Sequence, residues 1–175
     1  MRKIHAAAIA SILTACAAVT PARADSIWAG VYQHDITLAQ VKFETGQDIK
    51  AGWIGTPISA LSAIGKPAPH ALASASLNGG TNYLAAGLNW KFGRTLYVRP
   101  GIGLSVNDGP RRAYRKGKRV DLGAAVTFEP ELALGWQIAD RVAIEASWIH
   151  LSHATLFSRQ NRGMDSMGLR LLIGL

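Results

Sequence analysis

Residues 95–107 read TLYVRPGIGLSVN and alternate without a break. Leu96, Val98, Pro100, Ile102, Leu104 and Val106 fall on one side of an extended chain. Thr95, Tyr97, Arg99, Gly101, Gly103 and Ser105 fall on the other. A period of two marks a strand, because successive side chains point to opposite faces. The same period recurs further on, where Phe128, Pro130, Leu132, Leu134 and Trp136 oppose Thr127, Glu129, Glu131 and Gly135. Working outward, the pattern predicts strands over 26–34, 47–55, 70–78, 81–92, 95–107, 122–138, 141–153 and 164–174. Most meet the roughly nine to eleven residues that a tilted membrane-crossing strand needs.

The polar side of this alternation holds small residues together with Arg99, Glu129, Glu131, Glu145 and Arg170. A soluble barrel turns its apolar face inward. Here the small polar face suits the narrow interior of an eight-stranded barrel, with buried ion pairs filling the lumen and the apolar face toward lipid. The expected fold is therefore all-β, an eight-stranded antiparallel transmembrane β-barrel. Links at 91–94 and 139–140 read as tight turns, and those at 34–46, 108–119 and 154–163 as long loops. Short and long links alternate, as when short turns face the periplasm and long loops face outside. Two links break the rule: 78–81 is short where a loop is due, and 56–69 is long where a turn is due.

Composition agrees. The chain has 175 residues, a net charge of +8, 49% hydrophobic and 17% charged residues, the size of one domain. Its mean hydropathy is +0.12. Yet no stretch reads as a helical span. Residues 51–65 are too short and contain Pro57, and 67–90 are interrupted by His70, Asn78, Gly79, Gly80 and Asn82. Residues 1–24 read as a signal peptide: Arg2 and Lys3, an apolar run from Ala6 to Val19, then Ala22-Arg23-Ala24 as the cleavage pattern. Residues 25–175 form the barrel. A lipoprotein box at Leu13-Thr14-Ala15-Cys16 is the other reading of the same segment. Cys16 is the single cysteine, so the mature chain has no disulfide and no thiolate chemistry. Export argues against ATP and NAD chemistry, and no HExxH or carboxylate-rich calcium loop is present; no metal or cofactor is expected.

His150 and Ser152 lie two apart at the end of the seventh segment, on the same side as Val142, Ile144, Ala146 and Trp148. That is the lipid-facing side, at the extracellular end. Asp165 opens the last strand in register with Met167, Leu169, Leu171 and Ile173. A charge on the lipid face is nearly free of cost only at the interface. A serine nucleophile needs a base, and a histidine base needs an acid to fix its tautomer. Taken singly these residues also read as an interfacial polar girdle and a turn residue; their common facing points to a serine hydrolase acting on lipid. His34, Asp35 and Asn107 fall at the same rim, with no role assigned.

The residues WIHLSHA (148–154), QNRGMD (160–165) and MGLR (167–170) resemble the C-terminal motif of the PagL-type lipid A 3-O-deacylases. GVYQHD (30–35), Glu44-x-Gly46-x-Asp48 and NYLAAGLNW (82–90) resemble other parts of that family. The resemblance implies an outer-membrane barrel that hydrolyses the ester-linked 3-hydroxyacyl chain at position 3 of lipid A without a metal, with His150, Ser152 and Asp165 as its triad. Three departures stand out. Asp165 replaces the family's Glu. His153 replaces an Asn that helps form the oxyanion hole, leaving the His153 imidazole or the backbone amides near Ala154 as donors. The sequence ends Ile173-Gly174-Leu175 without a terminal aromatic.

Arg111, Arg112, Arg115, Lys116, Lys118 and Arg119 crowd one loop. Such a run is commonly a solvated charge cluster or a nucleic-acid contact. Outside a bacterial cell the abundant polyanion is lipopolysaccharide, and Arg111, Arg112, Arg115 and Lys116 are expected to hold its phosphates. The expected partners are lipid A, outer-membrane lipid and, as an open question, a second copy; nucleic acid is not expected. The alternatives are a non-catalytic small barrel and a phospholipase or other lipid esterase on the same scaffold.

Overall fold

The computed structural model describes residues 24–36, 44–111, 119–156, 159 and 161–175. Residues 1–23 of the expected signal peptide, Cys16 among them, and Arg112, Arg115 and Lys116 lie outside them, whereas Ala24 is described. The strands are β1 (Ala24–Gln33), β2 (Gln47–Gly55), β3 (Ala68–Ser76), β4 (Tyr83–Asn89), β5 (Phe92–Gly93), β6 (Leu96–Asn107), β7 (Val126–Ala139), β8 (Val142–Leu151) and β9 (Met164–Gly174). Each long strand pairs antiparallel with its neighbours, β1 pairs with β9, and β4 pairs with β6. The sheet is thereby closed into an eight-stranded barrel with no free edge. β5 is a two-residue ribbon folded back on Tyr97 and Val98. No helix among the described residues is long and apolar enough to cross a membrane; the strands cross it.

Alternation sets the two walls. Leu96, Ile102, Leu104, Val106, Leu134, Met167 and Leu169 are exposed on the outer wall, where the lipid tails lie. Arg99, Glu129, Glu131, Glu145 and Arg170 are buried inside, as the charge pattern predicts. Glu145 lies between two arginines: Arg99 Nε donates to it at 2.9 Å and Arg170 Nε at 2.6 Å. Arg170 also pairs with Glu131. Lys50, wholly buried, donates to Asp48, Ser74 and Tyr83. Arg99, Arg170 and Lys50 thus each meet an opposite charge inside the wall, the condition for burying them.

Several boundaries move. β4 begins at Tyr83 rather than at residue 81, because the Thr81 N–H and hydroxyl bond to Glu44 instead of a strand. β7 begins at Val126; Val120 and Leu122 turn inward and plug the barrel mouth. The expected turn at 91–94 contains β5. The long link after β2 holds a 3-10 turn, Ser59–Ile64, capped by Gly65 at φ 87. His34, Asp35 and Asn107 sit at the same end of the barrel as His150 but are turned inward: all three are buried, His34 completely.

Candidate active site

β8 and β9 build the site. Their register sets His150 directly opposite Asp165. Directly paired residues bring short side chains into reach, and His150 Nδ1 lies 2.8 Å from Asp165 Oδ1. The same oxygen accepts the Trp148 indole N–H at 2.9 Å. Trp148, one turn of the pleat back on β8, stacks on the imidazole with ring centroids 5.9 Å apart. Both His150 and Asp165 remain partly exposed on the outer wall, at 27% and 16% of their side chains.

Ser152 follows on the same face, about 6.7 Å further along the strand. Its N–H and carbonyl exchange hydrogen bonds with Phe128. This pairing is separate from the main β7–β8 ladder, which ends at Glu131 and Ile149. Pro130 stands between, opposite His150. Proline has no N–H to donate, so the ladder is interrupted beside the imidazole and resumes at Ser152. No hydrogen bond joins the Ser152 hydroxyl to His150. With Nδ1 turned to Asp165, the edge of the ring carrying Nε2 faces away from that carboxylate.

That edge is bounded by Gly163. A methyl group there would lie 2.8 Å from His150 Cε1 and 3.3 Å from Nε2, and Gly163 has φ +70. Glycine alone satisfies both the left-handed backbone and the close approach. His153 is wholly buried and turned inward with Ile149 and Leu151, opposite in facing to Ser152. Its N–H is held by Asn161 Oδ1 at 3.1 Å. Ala154 is exposed, with a left-handed φ of 50, as is Thr155 with φ 59. Of the basic loop, Arg111 is exposed, and Arg119 is tied to Asp108 at 2.6 Å and to Glu44.

A second cluster braces the site from inside the mouth. His34 is held at Nδ1 by Asp48, 2.6 Å away, and at Nε2 by Glu44. Burial alone lowers the imidazole pKa, but the two carboxylates outweigh it and raise it to about 9. Burial likewise works against ionised Glu44, and His34 with the surrounding N–H donors overcomes it, holding the carboxyl below its ordinary range. Glu44 accepts from the N–H groups of Thr81 at 2.6 Å and Val120 at 2.8 Å, so it ties three loops together. The chain leaving His34 reaches the site directly: Ile36 N–H donates to the Asp165 carbonyl at 2.8 Å. Sequence reading missed Trp148, Pro130 and Glu44 as parts of the site. Trp148 shares the His150 face, which was the available signal; the other two act across strands.

His70, Glu129 and Glu131, all buried on the inner wall, could hold a cation, with ligand atoms within 4.8 Å of one another. His70 already bonds Glu129 at 3.1 Å and Arg170 pairs with Glu131, so the carboxylates are partnered without one.

The fold and the site together define an eight-stranded outer-membrane barrel with an acid–imidazole pair on its lipid-facing wall. The family model for lipid A 3-O-deacylase (PagL) matches residues 39–173. The chain belongs to that family. The crystal structure of the outer membrane enzyme PagL aligns with 86% of this chain and 99% of its own at 18% identity and a TM-score of 0.62. The Yersinia pestis outer membrane protein Ail aligns over 85% of this chain and 97% of its own at 9% identity and a TM-score of 0.46. No curated protein matches the sequence.

Proposed function

We propose that the protein is a serine esterase that removes the ester-linked 3-hydroxyacyl chain from position 3 of lipid A. The observation that carries this reading is the His150–Asp165 hydrogen bond on the lipid-facing wall, with Ser152 next on the same face. Ser152 Oγ attacks the ester carbonyl and His150 Nε2 takes its proton. Asp165 holds the Nδ1–H tautomer and stabilises the imidazolium. The tetrahedral oxyanion collapses, and His150 returns the proton to the leaving sugar oxygen. Water activated by the same histidine then releases the fatty acid from Ser152. Backbone amides at Ala154 and beyond are the candidate oxyanion donors. Arg111, with Arg112, Arg115 and Lys116, is the candidate contact for lipid A phosphates. The substrate reaches the site sideways within the membrane. Residues 1–24 direct export, and residues 25–175 are the mature barrel.

Mass spectrometry of lipid A from cells with and without the protein tests the reading. One 3-hydroxyacyl chain should be lost, and Ser152→Ala and His150→Ala should each abolish the loss while the barrel still folds. Full activity in Ser152→Ala would falsify the nucleophile. Loss of phospholipid acyl chains with lipid A intact would make the protein a phospholipase. No change in either lipid would leave a non-catalytic barrel.

A further inference from the structure

The barrel has a second opening. Both termini of the barrel and the turn at Asp140 and Arg141 lie at the end opposite His150, which is the periplasmic end. A cavity of about 300 Å³ opens there. Lys66, Lys91, Arg99 and Arg141 line it, against one carboxylate, Asp140. The Arg99 guanidinium is occupied by Glu145 and Asn89. Among the described residues, Lys66, Lys91 and Arg141 have no carboxylate within ion-pair distance.

All three are exposed; Lys91 is held through its ammonium and Lys66 through its backbone alone. Lys91 Nζ sits 4.0 Å over the Tyr97 ring and donates to Gln137 at 3.3 Å. Lys66 follows Gly65 in a left-handed conformation, φ 52, with its N–H bonded to Leu61. A left-handed lysine persists only where its surroundings impose it. The 3-10 turn that imposes it is anchored by the Trp90 indole, which donates to the Ile64 carbonyl at 2.7 Å. Trp90 and the exposed Phe92 border the same cavity. Aromatic side chains at a barrel end mark the membrane–water boundary, so the cavity lies at the level of the inner-leaflet headgroups. Cations gathered in a walled cavity with one acid among them repel one another, and an anion with several acceptor oxygens relieves that repulsion.

We propose that this periplasmic cavity binds a phosphate group, with Lys66, Lys91 and Arg141 as its ligands. A phospholipid headgroup of the inner leaflet and free phosphate offer the same chemistry. The site is independent of the deacylation reading and lies at the other end of the barrel.

The full mature barrel, folded in zwitterionic micelles, is titrated in parallel with inorganic phosphate, with dioleoylphosphatidylglycerol and with dioleoylglycerol, which lacks the phosphate. The thermal unfolding midpoint is followed at constant ionic strength. The midpoint should rise to saturation with a phosphate-bearing ligand and not with dioleoylglycerol. Saturation by inorganic phosphate at comparable concentration assigns the site to the free ion; saturation by the lipid alone assigns it to the headgroup. Removing each cation should weaken apparent affinity about tenfold. Single variants Lys66→Gln, Lys91→Gln and Arg141→Gln keep the test open where the triple variant fails to fold. Deacylation of lipid A in zwitterionic micelles, with no phosphatidylglycerol added, should be unchanged in all of them. A midpoint insensitive to both phosphate sources, or one whose response survives in the variants, overturns the proposal.

Discussion

Asp165 carries the departure from the family pattern, and the structure gives it a physical setting. A side chain one methylene shorter than Glu reaches His150 because the two residues are direct cross-strand partners. Asp165→Asn keeps the shape but loses the charge that stabilises an imidazolium, so turnover should fall about 10²–10⁴-fold. Asp165→Glu should keep partial activity, since the longer chain must fold back within the same register. Deacylation rates in matched micelles decide both, and near-normal turnover in Asp165→Asn would remove the acid from the mechanism. Trp148 positions this carboxylate. Trp148→Phe keeps a ring against His150 but deletes the N–H donor. A hydrogen bond to a charged group is worth roughly 1.5–3 kcal/mol, so a loss of about ten- to a hundredfold in turnover is expected, with folding intact. Unchanged turnover would show that Asp165 needs no second donor. Gly163→Ala places a methyl against the imidazole edge and strains the backbone. It should lower kcat while the barrel still folds, and an unchanged kcat would show that the imidazole edge tolerates the methyl. The common facing of His150, Ser152 and Asp165 was legible in the sequence because period-two alternation fixes facing. Trp148 was visible as a face neighbour, but its partner could be known only from the β8–β9 register.

The strands are tied to one another inside the lumen by paired charges. Glu145 on β8 serves Arg99 of β6 and Arg170 of β9, and so links three strands across the lumen. Glu145→Ala leaves buried guanidinium charge without its counter-ion. About 3–5 kcal/mol of stability should disappear, measured by urea unfolding in lipid vesicles. The loops have their own tie in His34. Its pKa in the folded barrel, about 9, stands above the ordinary 6.5. A raised pKa means the folded state holds the proton more tightly. The stabilisation is therefore complete below about pH 6.5 and is lost as pH rises through about 9. Unfolding midpoints taken from pH 6 to pH 10 should fall across that window, and His34→Asn should flatten the fall; an equal fall in the variant would place the proton elsewhere. Strand interiors were readable from alternation alone. Strand ends were not, because Thr81 and Val120 reach their partner Glu44 across 37 and 76 residues of chain. Nothing local in the sequence distinguishes a residue that continues a strand from one that turns aside to cap a distant carboxylate.

At the scale of the molecule, the outer wall is the solvent contract with the bilayer. Leu132, near the middle of β7, is 43% exposed there. Leu132→Arg should cost about 2–4 kcal/mol in vesicles, whereas a substitution at the membrane edge costs far less. Equal costs at both depths would refute the assigned outer wall. The residue pattern alone carries the class of fold, the number of long strands and the two walls of each. A period of two assigns facing with no tertiary information, and lipid outside with packed charge inside rewards only one assignment. It also determined that His150, Ser152 and Asp165 share the outer wall. What the tertiary structure decided is who meets whom: closure of β1 on β9, Pro130 opposite His150, Trp148 on Asp165, and His34 between Glu44 and Asp48. These depend on register between segments far apart in the chain. Register is set by the closed barrel as a whole, because shifting one strand by one residue would exchange its lipid-facing and lumen-facing walls.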